Sequence, residues 1–430
     1  MIQNNRGITV AVIGAGSRGV GYARYFLSNP VAGKVVAVAD PDSERLKKLS
    51  DQHFVHEVHR YANYQAFFEQ PKMCDAVLIC TMDQQHYEPT MMALEKGYHV
   101  MVEKPMSPDP IETLDMSRQA DNVGKILMVG HVLRYSPFFY KIKSLLHSGA
   151  IGDVISIDLI ENVGHIHYSH SFVRGNWGNS RRSSFMLMSK SCHDIDILHW
   201  LIDKPCVKVS SFGSLMHFNS NNAPEGSTAN CFDGCIVERS CPYSANRIYV
   251  ERGEWLWQVT QSERKEDRIR ALQEGPYGRC VYRCDNDVVD HQVVSMEFET
   301  GITASFTMIA FTTEEYRTIK VFGTKGQLRS HMGKNEIVVS TFNGDVEKFN
   351  PATHAGGHFG ADPLLVEDFV TQVNSGHVTG GRTHAKTSAD SHLITFAAEQ
   401  ARLQGEVVEM AEYVSNLSNR LSSAYIDNKL

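Results

Sequence analysis

A lysine and a glycine-rich turn are the groups of this sequence best placed to do chemistry, because the turn directly follows one apolar run and the lysine comes two residues after another. Lys104 comes after HVMV, which starts at His99, and so lies at the carboxyl end of a predicted buried strand. An ammonium group in that position can stabilise the negative charge that develops on a reacting oxygen. The alternative is a surface lysine that pairs with Glu103, and the neighbouring motifs favour the chemical interpretation.

The turn Gly14-Ala15-Gly16-Ser17-Arg18-Gly19 links the apolar run ITVAVI to an amphipathic segment. Gly14 permits a tight turn, Gly16 lets the backbone approach a diphosphate, and Gly19 lets a helix pack closely on a strand. The unpaired amides at the start of that helix bind phosphate. The spacing therefore predicts a dinucleotide site, with cofactor contacts from Gly14, Gly16, Ser17, Arg18 and Gly19.

A carboxylate completes this pattern. Asp40 comes 21 residues after the last glycine, at the end of the second apolar run. Its oxygens can accept the hydroxyls of an adenosine ribose, and its charge would repel a 2′-phosphate. The predicted cofactor is therefore NAD and not NADP, although Ser43 and Arg45 lie close enough to weaken that preference.

Alternating apolar and amphipathic segments are predicted to position these groups. Nearly continuous apolar strands separated by helices indicate a parallel sheet that is covered on both faces. We therefore predict a Rossmann domain over residues 1–130. Its strands start at Ile8, Lys34, Ala76, His99 and Ile126, and its helices run from Gly19 to Leu27, Ser43 to His53 (capped by Ser43), Tyr87 to Lys96 and Pro108 to Val123.

The pattern changes in residues 131–430, which we predict to form a second domain. Its strands alternate apolar and polar residues, as half-buried strands do, and Thr300-Gly301 and Asn343-Gly344 resemble hairpin turns. The fold class is thus α/β, with a Rossmann fold followed by an α+β domain built on a large, mainly antiparallel open sheet. The predicted strands start at Val154, Val207, Asp290, Ile302 and Arg317.

Composition excludes several classes of function. The 430 residues carry a net charge of −7, which gives no reason to expect binding to nucleic acid or to a membrane surface. The N-terminal apolar run leads straight into the glycine turn, so we interpret it as a strand and not as an export signal. No segment approaches the roughly 18 apolar residues of a membrane helix, and we expect a cytoplasmic protein.

Together with the glycine turn, two further segments resemble the Gfo/Idh/MocA family of oxidoreductases. These are the run from Cys80 to His86 and the triplet Glu103-Lys104-Pro105. The resemblance implies that Lys104 lies beside the nicotinamide and the reacting oxygen, and that the Lys104-Pro105 bond is cis. It also implies that the open sheet pairs subunits into homodimers or homotetramers. We expect further cofactor contacts from Thr81, Glu103, Lys104 and His86. For His86 alone, a helix cap is an equal alternative.

The resemblance also makes His193 the general acid/base, a task that suits an imidazole because its unperturbed pKa is near neutral. The alternative is a histidine that caps or packs within a predicted helix starting at Ser189. Relatives of the inositol dehydrogenase type carry an aspartate where this chain has Ser189, so their aspartate–histidine pair is absent. Lys190 would share a helix face with His193, and we expect it either to bind a substrate hydroxyl or to lower the pKa of the histidine.

The polar and aromatic run from Gly164 to Arg182 is the predicted substrate-binding segment, with a polar surface loop as the alternative. Apolar rings with hydrogen-bonding rims suit a sugar or polyol better than a small hydroxy acid, which would need an arginine clamp. His165 and His167 would share a face in an extended segment, but no nearby carboxylate or cysteine completes a metal site. The candidate substrate contacts are Arg134, Tyr135, His165, His167, Arg174 and Trp177.

Five of the nine cysteines lie between Cys231 and Cys284. Their order is Cys231-x3-Cys235-x5-Cys241, followed by Cys280-x3-Cys284. Four thiolates can bind a structural metal, but C-x3-C is looser than the spacing of a zinc ribbon. The sequence leaves two alternatives undecided: a zinc or cluster site, and a set of buried thiols.

Three functions compete at this stage. The favoured one is an NAD-dependent oxidoreductase that moves hydride between the cofactor and a hydroxyl or carbonyl of a sugar, cyclitol or glycoside. The second is a redox-neutral glycosidase that oxidises its sugar transiently. The third is a sensor of NAD or sugar without catalysis, which would have no need for Lys104 and His193.

Overall fold

The structure is a computed structural model that describes residues 7–352, 357–376 and 381–427; the first six residues of the predicted N-terminal domain lie outside these ranges. No helix in these ranges is long and apolar enough to cross a membrane. The first part of the chain alternates strands and helices. Its elements are β1 (Ile8–Ile13), α1 (Ser17–Ser28), β2 (Gly33–Ala39), α2 (Ser43–Gln52), β3 (Arg60–Tyr61), α3 (Tyr64–Phe68), β4 (Ala76–Ile79), α4 (Tyr87–Glu95), β5 (His99–Val102), α5 (Pro110–Val123) and β6 (Leu127–Val129).

The strands of this first part form one parallel sheet in the order β3-β2-β1-β4-β5-β6. Residues of β1 and β4 are buried on both faces, which explains their nearly continuous apolar sequence. The Rossmann fold expected from the sequence is confirmed. The predicted cap of α2 is wrong by one residue, since the side chain of Asp42 accepts the amides of Glu44 and Arg45.

The second part of the chain is built on a nine-stranded sheet in the order β14-β13-β12-β11-β7-β10-β9-β8-β15. Only β7 and β10 pair in parallel within it, so the mainly antiparallel sheet is confirmed. Its elements are α6 (Pro137–His147), β7 (Val154–Asn162), α7 (His165–Tyr168), α8 (Met186–Ser189), α9 (Cys192–Ile202), β8 (Cys206–Ser214), α10 (Leu256–Val259), α11 (Lys265–Glu274), β9 (His291–Phe298), β10 (Thr303–Ile309), β11 (Tyr316–Gly323), β12 (Gly326–His331), β13 (Glu336–Thr341), β14 (Val346–Phe349), α12 (Gly357–Ser375), α13 (Ala385–Gln404), β15 (Val408–Glu409) and α14 (Met410–Asp427).

Both predicted hairpin turns join neighbouring antiparallel strands. Thr300 and Gly301 have φ of 69° and 83° between β9 and β10. Gly344 has φ of 97° between β13 and β14. These left-handed conformations favour glycine and reverse the chain within a few residues.

The helix predicted from Ser189 onward is interrupted. The short helix α8 ends at Ser189, and α9 begins at Cys192. Lys190 lies in the break, so the expectation that it shares one helix face with His193 is wrong. The hydrophobic spacing of this segment does not reveal the break, because residues on both sides of it are buried.

The C-terminal helices return to the Rossmann domain. The amide of Val129, in the edge strand β6, donates to the carbonyl oxygen of Thr383 at 2.9 Å. Arg18, in α1, donates to both carboxylate oxygens of Asp362, in α12, at 2.9 and 3.0 Å. The second part of the chain therefore forms its own sheet and also contacts β6, the edge strand of the first sheet.

A long insertion separates β8 from β9. It covers residues 215–290 and contains only short helical segments. Aromatic rings pack it against the predicted substrate-binding segment, with His170 stacked on Tyr277 at 4.5 Å and Tyr168 stacked on Phe218 at 5.2 Å between ring centroids. The insertion thus covers the segment from which the sequence predicts substrate contacts.

Candidate active site

The glycine turn between β1 and α1 leaves open space on one side only. A Cβ atom at Gly14 would lie 2.5 Å from the carbonyl oxygen of Cys80, and one at Gly19 would lie 2.0 Å from the carbonyl oxygen of Gly14. A Cβ atom at Gly16 would meet no described atom within 4 Å. No described side chain caps the amides at the start of α1. This turn fits the diphosphate of a dinucleotide, which would approach Gly16 and these amides.

Asp40 is buried beside the turn. Its Oδ2 accepts the amide of Ala15 at 2.6 Å, and its Oδ1 accepts the amide of Asp42 at 2.8 Å. These bonds fix the end of β2 against the glycine turn. Each carboxylate oxygen has a second lone pair, so Asp40 can also accept ribose hydroxyls, as the sequence predicts.

The side chain of Arg18 points away from the predicted phosphate position. Its Nε donates to Glu103 Oε1 at 2.7 Å, and its remaining nitrogens bind Tyr22 and Asp362. Burial alone would raise the pKa of Glu103, but Arg18 and Lys104 hold it below its ordinary value. Arg18 and Glu103 therefore form a charged support for the loop that carries Lys104, and a cofactor contact of Arg18 stays a prediction.

Lys104 projects from this support into the space between the two sheets. The Lys104-Pro105 bond is cis, as the resemblance implies. The backbone amide of Lys104 donates to Glu103 Oε2 at 2.9 Å, and its Nζ donates to the carbonyl oxygen of Ser189 at 2.5 Å. The ammonium group is thereby held next to the break between α8 and α9.

His86 connects two loops of the Rossmann domain instead of capping a helix. Its ring is buried, Nδ1 donates to the carbonyl oxygen of Pro105 at 2.6 Å, and Nε2 lies 3.1 Å from the carbonyl oxygen of Thr81. The hydroxyl of Thr81 donates to the carbonyl oxygen of Gln85 at 2.8 Å. The ring of His86 thus joins the loop of Thr81 to Pro105, and cofactor contacts of His86 and Thr81 stay predictions.

His193 lies in the first turn of α9 and is only 7% exposed. Its Nδ1 has no hydrogen-bond partner among the described residues. Burial, reinforced by the positive charge of Lys104 and by His131, lowers the pKa of His193 well below its ordinary value. The imidazole is therefore neutral at neutral pH and able to accept a proton.

Three further histidines lie near this group and were not predicted from the sequence. The ring of His131 lies 5.7 Å from that of His193 and 5.0 Å from that of His392, and the ring of His358 lies 6.3 Å from His193 on another side. His358 belongs to α12, and its Nδ1 lies 2.9 Å from Oδ1 of Asp362 in the same helix. The position of His131, two residues after the end of β6, is the one local signal that could have revealed it.

Lys190 takes part in a compact set of charges on the other side of the site. Its Nζ lies 3.0 Å from Glu315 Oε1 and 3.3 Å from Glu161 Oε1. Glu315 Oε2 also lies 2.9 Å from His167 Nδ1. Burial raises the pKa of Glu161 to about 7, although Arg317 and Lys190 oppose the shift. Two carboxylates therefore share the ammonium group of Lys190, and its catalytic role stays a prediction.

Two predicted substrate contacts, Arg134 and Tyr135, have buried partners. Arg134 donates to both oxygens of Asp196 at 2.7 Å. The hydroxyl of Tyr135 donates to Asp368 Oδ2 at 2.7 Å. The sequence does not reveal these acidic partners, and the contact of Arg134 and Tyr135 with substrate stays a prediction.

From the buried ion pair of Arg134 and Asp196 we predict a loss of stability when the pair is broken. Replacing Asp196 by asparagine is expected to lower the free energy of unfolding by about 3–5 kcal/mol, because Arg134 would keep a buried charge without its counter-ion. Burial raises the pKa of Asp196, but Arg134 and His131 lower it to about 2 in total. The contribution of the Arg134–Asp196 pair to the free energy of unfolding should therefore be complete above the pKa of an unfolded aspartate, about 3.9. It should disappear as the pH falls toward 2 and Asp196 becomes protonated.

Denaturant titration of both forms at several pH values would measure this difference. Asp203→Asn is the matched control, since Asp203 follows the same helix and its side chain is 82% exposed. Equal stability of Asp196→Asn and wild type at pH 7 would contradict the prediction.

The predicted substrate segment is helical and not extended. His165 and His167 lie in α7, where residues two apart do not share a face. His165 Nδ1 donates to the carbonyl oxygen of Thr312 at 3.0 Å, and the ring of His167 stacks on Trp255 at 4.7 Å. Trp177 Nε1 donates to Asp83 Oδ1 at 3.3 Å, which places the indole against the Rossmann domain.

Two arginines of this segment, Arg174 and Arg182, already have partners within the protein. Arg174 is 1% exposed, and its Nε and Nη2 donate to the carbonyl oxygens of Arg279 and Tyr243. Its side chain is thus buried and held by backbone carbonyls, and its contact with substrate stays a prediction. Arg182 pairs with Asp285 on the surface.

Comparison with known proteins places both parts of the chain in one family. Residues 8–131 match the Gfo/Idh/MocA model described as an oxidoreductase family with an NAD-binding Rossmann fold. Residues 143–381 match the model of the C-terminal α/β domain of the same family.

Individual relatives are more distant. An oxidoreductase of Bacillus subtilis, YteT, is 26% identical over 68% of this chain and 71% of its own length. An inositol 2-dehydrogenase of Streptomyces avermitilis is 31% identical over 50% of this chain and 59% of its own length. The match thus spans less than two thirds of that dehydrogenase.

Solved structures share the fold over nearly the whole chain. An oxidoreductase from Agrobacterium radiobacter in complex with NAD+, L-tartaric acid and magnesium has a TM-score of 0.69 at 17% identity, with 94% of this chain and 99% of that chain covered. An aldose-aldose oxidoreductase from Caulobacter crescentus complexed with glycerol has a TM-score of 0.67 at 17% identity, with 94% and 100% covered.

Proposed function

Because this chain belongs to the Gfo/Idh/MocA family of NAD-binding oxidoreductases, we propose that it is a dehydrogenase for a sugar, cyclitol or glycoside. It would oxidise a hydroxyl group of that substrate or reduce the corresponding carbonyl. The observation that carries this proposal is the neutral, buried imidazole of His193 beside Lys104. A group that accepts a proton and a group that stabilises an alkoxide are the two functions that hydroxyl oxidation needs.

In this reaction His193 accepts the hydroxyl proton while the carbon–hydrogen bond breaks. Bound NAD would supply the acceptor for the hydride, which takes the bonding electron pair with it. The ammonium group of Lys104 stabilises the negative charge on the oxygen as its proton leaves. In the reverse direction the protonated His193 returns the proton to the oxygen. Glu103 and Arg18 hold the loop of Lys104 in place throughout.

A neutral polyol suits this site better than a small hydroxy acid. The carboxylate of a hydroxy acid calls for a free bidentate arginine. Arg174 is bound to backbone carbonyls, Arg182 to Asp285, and Arg317 to Asp194 at 2.6 Å. The curated relatives named inositol 2-dehydrogenase support a cyclitol or sugar.

A substrate screen tests the proposal. Sugars, cyclitols, glycosides and hydroxy acids would be incubated with the protein and NAD, and both NADH and released aglycone would be measured. NADH formation with a sugar or cyclitol supports the proposal. Aglycone release without net NADH would identify a redox-neutral glycosidase, and a failure of every substrate despite tight NADH binding would favour a sensor.

The variant Trp177→Ala tests the substrate class in the same assay. We propose that its indole lines the sugar site, so its removal should raise KM for the active sugar. Trp257→Ala is the control, since that ring is 54% exposed and lies in the insertion. Robust oxidation of hydroxy acids that does not respond to Trp177→Ala would contradict a sugar substrate.

For the cofactor, we expect NADH to bind at least about tenfold more tightly than NADPH. The buried carboxylate of Asp40 would face a 2′-phosphate with a like charge. Isothermal titration with both cofactors measures the ratio, and Asp40→Ala should reduce it. Equal or tighter binding of NADPH to the wild type would show that Ser43 and Arg45 dominate the ribose end.

We also propose that the open face of the nine-stranded sheet pairs copies of this chain. Four strands of this sheet, β7, β8, β9 and β11, each expose an apolar side chain on this face. In the same order, these side chains are Ile160, Phe212, Val293 and Phe322. Light scattering after gel filtration should therefore give the mass of a dimer or tetramer, and Phe212→Glu should shift it toward the monomer. A wild-type monomer at micromolar concentration would contradict this proposal.

A further inference from the structure

His358 and Asp362 form a hydrogen-bonded pair in the first turns of α12. His358 Nδ1 lies 2.9 Å from Asp362 Oδ1, one turn further along the helix. Asp362 is buried, whereas 38% of the His358 side chain is exposed. An imidazole that donates from Nδ1 to a carboxylate has Nε2 left for a further hydrogen bond. The pair therefore holds one oriented nitrogen atom where a ligand can reach it.

Arg18 fixes the carboxylate of this pair. Its Nη1 and Nη2 donate to the two oxygens of Asp362 at 2.9 and 3.0 Å. Burial alone would raise the pKa of Asp362, but hydrogen bonds from His358 and Arg18 hold it well below its ordinary value. Arg18 also binds Glu103, whose second carboxylate oxygen accepts the amide of Lys104. The same charged support thus positions both Lys104 and His358.

His358 lies beside His193. The centroids of the two rings are 6.3 Å apart. The ring of His131 is similarly close to His193, at 5.7 Å, but its side chain is fully buried. Of these two neighbours of His193, His358 is the one that solvent, and so a substrate, can reach.

We propose that His358, oriented by Asp362, binds the substrate hydroxyl next to the one that His193 deprotonates. The protein would then select substrates with hydroxyls on adjacent carbons. This inference rests on the proposed function, because it takes His193 and Lys104 to act on the reacting hydroxyl. His358 moves no proton in the reaction and serves as a specificity residue.

The spacing of the two rings suits such a vicinal diol. When one hydroxyl is bonded to His193, its neighbour on the next carbon can reach His358, each through a hydrogen bond of about 2.9 Å. Because Asp362 already orients His358, little further ordering is needed when the substrate binds. A substrate without the second hydroxyl would leave Nε2 of His358 unpaired in the complex, which is unfavourable. The site should therefore discriminate against an isolated alcohol.

Deoxy substrates test the proposal. The active sugar or cyclitol would be compared with its two analogues that each lack one hydroxyl next to the oxidised carbon. In the wild type, kcat/KM for one analogue should be lower than for the parent by about 100-fold or more. His358→Ala should reduce this ratio at least about tenfold, mainly by raising KM of the parent.

Two further variants serve as controls in this comparison. His358→Asn keeps a hydrogen-bonding group and should retain part of the preference for the parent substrate. His147→Ala changes an exposed histidine of α6 and should retain all of it. The melting temperature and NADH affinity of each variant report whether it is folded.

Binding measurements separate this inference from the proposed function. The protein saturated with NADH would be titrated with the same parent and deoxy compounds. A preference for the diol that His358→Ala loses, without NADH formation from NAD by the wild type, would support the specificity site and refute the dehydrogenase. Oxidation in which wild type and His358→Ala discriminate equally would refute this inference and leave the dehydrogenase standing.

Two other outcomes would also overturn the inference. An equal fall of kcat with the parent and both analogues in His358→Ala would show that His358 acts on the reacting hydroxyl itself. A wild type that binds none of the sugars, cyclitols or deoxy analogues would refute both the specificity site and the proposed substrate class.

Discussion

Replacement of His193 by alanine is expected to lower kcat by at least about two orders of magnitude while NADH affinity stays nearly unchanged. The imidazole is buried beside Lys104 and is the one group we assign to move the hydroxyl proton. It lies apart from the glycine turn and Asp40, which would hold the other end of the cofactor. Steady-state kinetics with the substrate found by screening, combined with titration of NADH, measures the two effects separately.

The pH dependence of the wild type gives a second measure of His193. Burial and Lys104 lower its pKa well below the ordinary value, so the neutral form that accepts a proton persists into mildly acidic solution. Oxidation should therefore lose activity only well below pH 6.5, as the ring becomes protonated. His56→Ala, which changes an exposed histidine, serves as control. A His193→Ala enzyme with near-normal kcat at all pH values would remove this residue from the mechanism.

Replacement of Lys104 by methionine is expected to cause a loss of similar size. Methionine keeps much of the length of the side chain but cannot stabilise an alkoxide, so kcat should fall by about two orders of magnitude or more. The support of Glu103 by Arg18 does not involve the Nζ atom, and the fold should persist. Measurements of kcat and of NADH affinity on the same preparation test this expectation.

The exposed lysine Lys48 offers a control, since Lys48→Met changes the charge of the chain by the same amount. If Lys104→Met weakened NADH binding severely while kcat at saturating cofactor stayed normal, the lysine would serve the cofactor and not the reacting oxygen.

Those parts of the site that depend on short-range patterns could be predicted from the sequence. The glycine turn, Asp40 and Lys104 each follow a strand of one parallel sheet, and the carboxyl ends of such strands meet at one edge. Local hydrophobic spacing therefore predicts both the strands and the place where their following residues meet. Local spacing also predicts five of the nine strands of the second sheet, β7 to β11, and two of its hairpin turns, whereas the strands β12 to β15 were not predicted.

The partners of charged side chains could not be predicted in this way. Arg134 binds Asp196, which is 62 residues away in sequence, and Arg18 binds Asp362, which is 344 residues away. Nothing near an arginine in sequence distinguishes a buried ion pair from a substrate contact. His358 was missed for the same reason, since α12 brings it to His193 from a distant part of the chain.

The insertion between β8 and β9 leaves and re-enters the sheet at neighbouring positions, because Ser214 and His291 are register partners. Its length and sequence can therefore change without displacing any strand. For the evolution of this protein, the segment is an exchangeable module: new substrates could be acquired by replacing it while Lys104 and His193 stay in place. For protein engineering, Ser214 and His291 mark the junctions at which the insertion of one relative could be grafted onto another.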